Sequence, residues 1–400
     1  TGKSGASGFG VLVANDASPS VILPSDLSSR VAALSGDVFT AVGRVRRDVG
    51  ASSTVGVLWA GREGDGYHNR VAGMDANLRL LPALTWRTQV LRSETEDPEG
   101  IRALTGREPG GFADWAAVSS LRYTTRNWFA AWDASYSGGG FRADAGFVNQ
   151  VDRLGTNAWF DRKFWGAPDD VYTVLTVAGG FWHNENLDGR LIGEGLWMNL
   201  QYDGPLQSQL WINPNLRRQF FGAGEHAFVQ VWFGGRIRPS GSFGFDFNAS
   251  TGGEIDFANG REARQFRVAP NLALRAGRRI DLRLGHTYQR LNTVDGERIF
   301  RANLSQVRAV YNFTARSFLR AIVQVRDTDR NPGQYGFEVN RSDTSVFTQL
   351  LFSYKVNPQT VVFVGYSDNR AAFTDRELRD VGLTQASRTL FVKLGYALRP

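Results

Sequence analysis

The chain has 400 residues and a formal net charge of +7, with arginine supplying nearly all of the base. No run approaches the roughly 18 consecutive apolar residues that a membrane helix needs, and the absence of cysteine excludes a disulfide framework and cysteine-ligated metal. The arginines are scattered at strand spacing and never form a basic run, which argues against nucleic-acid binding.

Alternating apolar and polar residues, in segments of about ten, predict an all-β chain. A Ser/Pro/Asp-rich link is expected after the first segment, and a loop over 94–111. Some twenty strands at a spacing of about 20 residues are typical of a barrel the size of a porin. The predicted strands are 8–15, 38–48, 54–62, 69–81, 83–93, 112–124, 127–137, 141–151, 156–165, 171–182, 190–202, 207–217, 227–238, 242–250, 264–276, 281–291, 299–313, 318–326, 345–355, 360–367 and 389–398.

The alternation is clearest in segment 127–137, NWFAAWDASYS. Trp128, Trp132 and Tyr136 fall on one side of this strand and Asp133 on the other. A soluble sandwich would bury its large aromatic residues, whereas here the polar side is predicted to be the enclosed one. The pattern therefore favours a membrane barrel.

The residues after this strand are predicted to return as a second strand. Glycines 138–140 form the turn, and in the predicted strand 141–151 Arg142 and Asp144 share one face. An ion-pair lattice on the polar face, with Arg153 included, is the expected arrangement of these charges.

Alternation alone also fits a soluble β-sandwich or propeller. Two observations favour the barrel: aromatic residues recur near the ends of the apolar faces, and the strands exceed the five or six residues typical of a sandwich or blade. The predicted fold is a single domain over 1–400, an all-β transmembrane antiparallel β-barrel of about 18–20 strands. It is expected to close between an N-terminal strand and 389–398, since closure leaves no unpaired edge in lipid.

Five segments resemble the β-barrel region of the DUF5916 family, in which a carbohydrate-binding-module-9-like domain commonly precedes an outer-membrane barrel. The resemblance implies a location in the bacterial (Gram-negative) outer membrane and implies no reaction. It also predicts that an N-terminal module precedes Thr1, and no sugar-binding role of that module is carried onto these residues. The matching segments, in the order of the family, are TGK (1–3), RVRRDVGASSTVGVLWAGRE (44–63), NRVAGMD (69–75), FRADAGFVNQVDR (141–153) and LLFSYKVNPQTVVFVGYSDN (350–369).

The sequence lacks the common catalytic and metal-binding motifs. The four histidines have no zinc-binding spacing, and there is no GxSxG, P-loop or dinucleotide fingerprint. Paired carboxylates such as Asp144 and Asp152 could serve a glycosidase, but an ion-pair lattice explains them better. The prediction is a protein that is not an enzyme, with no cofactor and no metal.

Charged and aromatic residues are assigned to opposite faces. Arginine costs about 2–4 kcal/mol on a lipid face at the midplane, so strand arginines are predicted to face the lumen. They either favour anions in an open pore or pair with lumenal carboxylates and fill the barrel. The predicted lumen-lining residues are Arg44, Arg46, Arg142, Asp144, Arg236, Arg267, Arg283, Arg308, Arg320 and Arg326; the predicted lipid-facing aromatic residues are Trp128, Trp132, Tyr136, Tyr288, Phe352, Tyr354 and Tyr396.

The predicted function is a porin-like pore or transporter that passes small anionic or sugar-like solutes through an arginine-lined lumen. The alternative is a plugged barrel that anchors or assembles another domain, and a third hypothesis is an outer-membrane hydrolase. The expected partners are membrane lipid and lipopolysaccharide, the barrel-assembly machinery during insertion, and a periplasmic or surface protein. Nucleic acid is not an expected partner.

Overall fold

A computed structural model describes residues 1–222, 224–375, 377 and 379–396. Its strands are β1 (Gly2–Ser4), β2 (Ser7–Asp16), β3 (Ser20–Pro24), β4 (Ser29–Ala33), β5 (Val38–Val49), β6 (Ser53–Gly64), β7 (Tyr67–Leu81), β8 (Leu84–Glu96), β9 (Phe112–Thr124), β10 (Trp128–Ser137), β11 (Arg153–Trp165), β12 (Val174–Glu185), β13 (Leu191–Gly204), β14 (Ser208–Phe221), β15 (Gly224–Ser240), β16 (Phe243–Asp256), β17 (Arg261–Ala276), β18 (Ile280–Thr293), β19 (Arg298–Thr314), β20 (Ser317–Arg330), β21 (Ser342–Asn357), β22 (Thr360–Thr374) and β23 (Asp380–Tyr396). One α-helix, α1 (Glu99–Thr105), and two short 3₁₀ segments, Pro205–Gln207 and Pro332–Gln334, interrupt them. Within the described residues, no helix is long and apolar enough to cross a membrane.

The chain divides into two compact units. Unit 1 comprises 1–163, 178–197 and 218–220, and unit 2 comprises 164–177, 198–217 and 221–400. In unit 1, β2 pairs with β1 and β5, and each strand from β5 to β11 is antiparallel to the next. In unit 2, the same meander runs from β15 to β23.

The strand registers align the predicted apolar and polar faces across neighbouring strands. Met74 on β7 lies opposite Val57 on β6 and Val90 on β8, and all three side chains are exposed. The next residue, Asp75, lies opposite Gly56 and Gln89. Because successive side chains point to opposite faces, one face of unit 1 is apolar and exposed while the other is polar.

The connections of unit 1 differ in length at the two ends of its strands. At the turn end, segments 50–52, 82–83 and 125–127 join consecutive strands. At the other end, which we call the loop end, the long connections 17–37 and 138–152 lie close together, as the hydrogen bond from Val151 N to Ser25 O shows. In outer-membrane barrels short turns face the periplasm and long loops face outward.

Three connections differ from the sequence predictions. The predicted strand 141–151 is wrong, because these residues form an irregular loop between β10 and β11. The predicted link after β2 contains the hairpin β3–β4, which forms a separate two-stranded sheet. The predicted loop 94–111 contains α1. Gly106 follows the last residue of this helix and adopts the left-handed conformation that glycine favours.

Twenty strands of ten or more residues lie within the described part of the chain, which agrees with the predicted 18–20. The final strand begins earlier than predicted, at Asp380, and pairs with β22. The last two positions of the predicted strand, 397 and 398, lie outside the described residues. Closure of the barrel and its single-domain organisation stay predictions.

Candidate functional site

Three connections at the loop end of unit 1 pack together on its polar face. We call residues 17–37, 97–111 and 138–152 the cap. Its apolar core joins the hairpin β3–β4 and α1 to the first residues of β5 and β7, and every side chain in it is at least nine-tenths buried. The members of this core are Val21, Leu23, Ala32, Leu34, Val38, Tyr67 and Ile101.

Arg142 is the centre of a buried charged cluster in the cap. Its Nη2 donates to Asp144 Oδ2 at 2.6 Å and its Nε to Asp144 Oδ1 at 2.9 Å, a bidentate pair. Its Nη1 also lies 3.4 Å from Asp97 Oδ2. The three side chains are 5% or less exposed. Burial raises the pKa of Asp97 above its ordinary value, an effect that the Arg142 charge only partly opposes.

The strands beneath the cap supply the remaining partners of this cluster. The Tyr67 hydroxyl donates to Asp144 Oδ2 at 2.7 Å. The backbone N–H of Asp144 donates to Asn69 Oδ1 at 2.8 Å, and that of Arg142 donates to Ser93 Oγ at 3.1 Å. Ser93 and Asn69 therefore give the amides of Arg142 and Asp144 the acceptors that a neighbouring strand would otherwise supply.

The register shows that the cap lies on the polar face. Asn69 lies opposite Arg62 on β6 and Thr95 on β8, and it shares a face of β7 with Asp75. Arg62 donates to the carbonyl oxygens of Ser20 at 3.0 Å and Asp144 at 3.2 Å, which ties both long connections to the sheet. The cap therefore covers the polar face at the loop end.

A cavity of about 770 Å³ lies on the same polar face of unit 1, farther towards the turn end. Asp75, on its wall, is six residues beyond Asn69, or about 20 Å along the strand. We call this space the arginine cavity because four arginines line it. Its charged lining residues are Arg44, Arg46, Arg87, Arg122, Asp75 and Asp133.

Within the described ranges, two of these arginines are paired with carboxylates and two are not. Arg44 Nη2 lies 2.8 Å from Asp75 Oδ1, and Arg122 Nη2 lies 3.5 Å from Asp133 Oδ1. Gly56 permits the first pair, since a Cβ at that position would lie 2.8 Å from Asp75 Oδ2. In the described part of the chain, neither Arg46 nor Arg87 forms an ion pair, and the Arg87 Nε donates to Asn77 Oδ1 at 3.4 Å.

The structure places the predicted lumen-lining residues in three groups. Arg44 and Arg46 line the arginine cavity. Arg142 and Asp144 lie in the buried cluster of the cap instead of on a strand, and Arg153 donates to Gln150 rather than to Asp144. The predicted arginines of unit 2 share the polar face of their strands. Arg283 lies opposite Arg308 and pairs with Asp281. Arg320 donates a hydrogen bond to Gln349. This third group is Arg236, Arg267, Arg283, Arg308, Arg320 and Arg326.

The predicted lipid-facing aromatic residues lie on the apolar face. Tyr288 is half-buried between Val268 and Asn303 and contacts the ring of Phe266 at 6.2 Å between centroids. The other six are exposed by 37–62%. They are Trp128, Trp132, Tyr136, Phe352, Tyr354 and Tyr396.

The residues that surround Arg142 are not predicted by the sequence pattern. Asp97 lies in the predicted loop 94–111 and Asn69 begins the predicted strand 69–81, whereas Tyr67 precedes that strand. The sequence pattern predicts no role for any of the three. Their contacts with 142 and 144 span 45 to 77 positions, so no local pattern could connect them. No group of three His, Cys, Asp or Glu side chains among the described residues is arranged to hold a metal ion.

No family model and no curated protein matches the sequence. Solved structures do match. The siderophore receptor PirA from Acinetobacter baumannii is 7% identical, with 99% of this chain and 75% of PirA covered at a TM-score of 0.54. The copper transporter OprC is 10% identical, with 98% of this chain and 80% of OprC covered at a TM-score of 0.53.

At these identities the likeness shows the fold, and it confirms the predicted class, an all-β transmembrane antiparallel β-barrel. The fold of this chain is a barrel of the kind found in outer-membrane transporters and receptors. The predicted location, the bacterial outer membrane, is confirmed with the fold.

Proposed function

We propose that this chain is an outer-membrane transporter that passes small anionic or sugar-like solutes through an arginine-lined lumen. The main support for the proposal is the arginine cavity, whose polar wall contains four arginines and two aspartates. Charged rings of one sign favour solutes of the opposite sign in a wet pore. The proposal includes membership of the DUF5916 family, contact of the apolar face with lipid and lipopolysaccharide, and no catalytic role.

Charge reversal in a planar lipid bilayer tests this proposal. The refolded chain should give conductance steps whose reversal potential in a salt gradient shows anion preference. Arg46→Glu should shift that potential towards cations. Arg47→Glu is the matched control, because Arg47 is the next residue on β5 and points to the other face. An equal shift in both variants, or cation preference in the native chain, would overturn the proposal.

A second candidate function is a plugged barrel that anchors or assembles an associated domain. The cap favours it, since a packed apolar core and a buried ion-pair cluster hold loop 138–152 on the polar face. Replacement of 139–151 by a short Gly/Ser linker tests this candidate. A native chain that inserts but is silent, with conductance only in the linker variant, supports the plugged barrel, whereas equal conductance in both chains opposes it.

A further inference from the structure

The arginine cavity has two chemically different sides. The cationic side is formed by β5 and β8, which carry Arg46 and Arg87. The other side is formed by β10, β11 and β12 and presents hydroxyl, amide and indole groups, and its one charged residue, Asp133, is paired with Arg122. The side chains of Ser135, Asn157, Trp182 and Asn184 supply these groups.

The two ion pairs leave the cationic side with uncompensated charge. Asp75 is matched by Arg44 and Asp133 by Arg122. Arg46 and Arg87 remain exposed in the cavity without a carboxylate partner among the described residues. Two guanidinium groups in a recess attract an anion and offer the fork of donors that fits a carboxylate or a phosphate.

The neutral side suits hydroxyl groups. Serine hydroxyls and asparagine amides each donate and accept hydrogen bonds, which matches the hydroxyls of a sugar. Trp182 adds an aromatic surface next to them, and its ring lies over Gly193, where a Cβ would come within 3.0 Å of it. A volume of about 770 Å³ falls within the 300–1,000 Å³ typical of small-molecule sites.

We propose that the arginine cavity is a binding site for an acidic sugar, a polyhydroxylated ring bearing one carboxylate or phosphate. Arg46 and Arg87 hold the anionic group, and the side chains of β10 to β12 hold the hydroxyls. The inference deepens the proposed transport function by naming the solute class, and it rests on the same cavity.

Equilibrium dialysis with the full chain refolded in detergent micelles tests the site without any transport. The probes are labelled glucuronate and glucose 6-phosphate, compared with neutral glucose and inorganic phosphate. We expect the acidic sugars to bind more tightly than either comparison compound. Arg46→Gln and Arg87→Gln should each weaken that binding about tenfold or more, whereas Arg47→Gln leaves it unchanged.

The result separates this inference from the proposed function. Glucose binding as tightly as glucuronate, or phosphate as tightly as glucose 6-phosphate, would overturn the acidic-sugar site even if the bilayer shows anion conductance. Acidic-sugar binding in a chain that is silent in the bilayer would support the site and refute transport. Heat-modifiable migration on gels checks that each variant is folded, and Asn157→Leu gives a second test on the neutral side, where weaker binding of both acidic sugars is expected.

Discussion

The Arg142 guanidinium and the Asp144 carboxylate lie 2.6 Å apart in a position where neither side chain is more than 5% exposed. A buried ion pair gains stability only when its remaining hydrogen-bonding capacity is satisfied. Here Tyr67 donates to the same carboxylate and Asp97 lies beside the same guanidinium. The pair therefore fixes loop 138–152 in one arrangement on the polar face.

Removal of the Arg142 charge should release the cap. Arg142→Met leaves two buried carboxylates without a cation, at a cost of about 3–5 kcal/mol. Hydrogen exchange of the amides in 138–152 should accelerate accordingly while exchange in the strands stays slow. Arg46→Met is the control, because Arg46 lines the arginine cavity and is not part of the cap. Equal acceleration in both variants would contradict the role given to Arg142.

A companion variant tests whether the charge or the shape matters. In Arg142→Met combined with Asp97→Asn and Asp144→Asn none of the three substituted side chains is charged, so we expect slower exchange in 138–152 than in Arg142→Met alone. Exchange as fast as in the single variant would show that hydrogen-bond geometry, rather than charge, holds the loop.

Stability of the cap should fall as the pH rises through the pKa of Asp97. Burial raises that pKa in the folded state, so folding favours the protonated carboxyl. The stability that this pKa shift adds to the cap is complete at a pH below the unfolded-state pKa of about 3.9. It is lost as the pH rises above the folded-state pKa of Asp97. Asp97→Asn removes this dependence. The ratio of exchange rates in 138–152 between native and Asp97→Asn chains should rise from pH 4 to pH 7, and a constant ratio would refute the assignment.

Neutralisation of one lumenal carboxylate should strengthen anion preference. Asp75→Asn leaves Arg44 unpaired in the arginine cavity and adds one net positive charge there. We expect the ratio of anion to cation permeability to rise about twofold at low salt and less at high salt, because counterions screen the charge. Reversal potentials in a salt gradient measure this permeability ratio. Asp16→Asn, outside the cavity lining, is the control.

Arginine should be tolerated on one face of a strand and not on the other. Met74→Arg places a guanidinium at the centre of β7 on the apolar face, where the cost is about 2–4 kcal/mol. Gln89→Arg places it on the polar face opposite Asp75 and should cost far less. Urea unfolding in lipid vesicles compares the two. Similar losses in both variants would contradict the assignment of the faces.

The periodicity of the sequence was enough to predict the strands and their two faces. Period-two alternation is local, so the residues around Met74 and Asp75 indicate by themselves which side of β7 is apolar. The same reasoning placed Trp128, Trp132 and Tyr136 on one face, and all three are exposed there. It could not show which arginines are paired, because Arg44 and Asp75 are 31 positions apart.

Loop 138–152 shows where local pattern fails. FRADAGFV alternates as a strand does, but its amides find side-chain acceptors on β7 and β8, Asn69 and Ser93, instead of a strand partner. Local pattern was sufficient to predict the β-strands, their apolar and polar faces and the membrane class, since each depends on neighbouring residues. The cap, the Arg142 cluster and the lack of a described carboxylate partner for Arg46 and Arg87 became visible only in the folded chain, because they depend on contacts between residues far apart in the sequence.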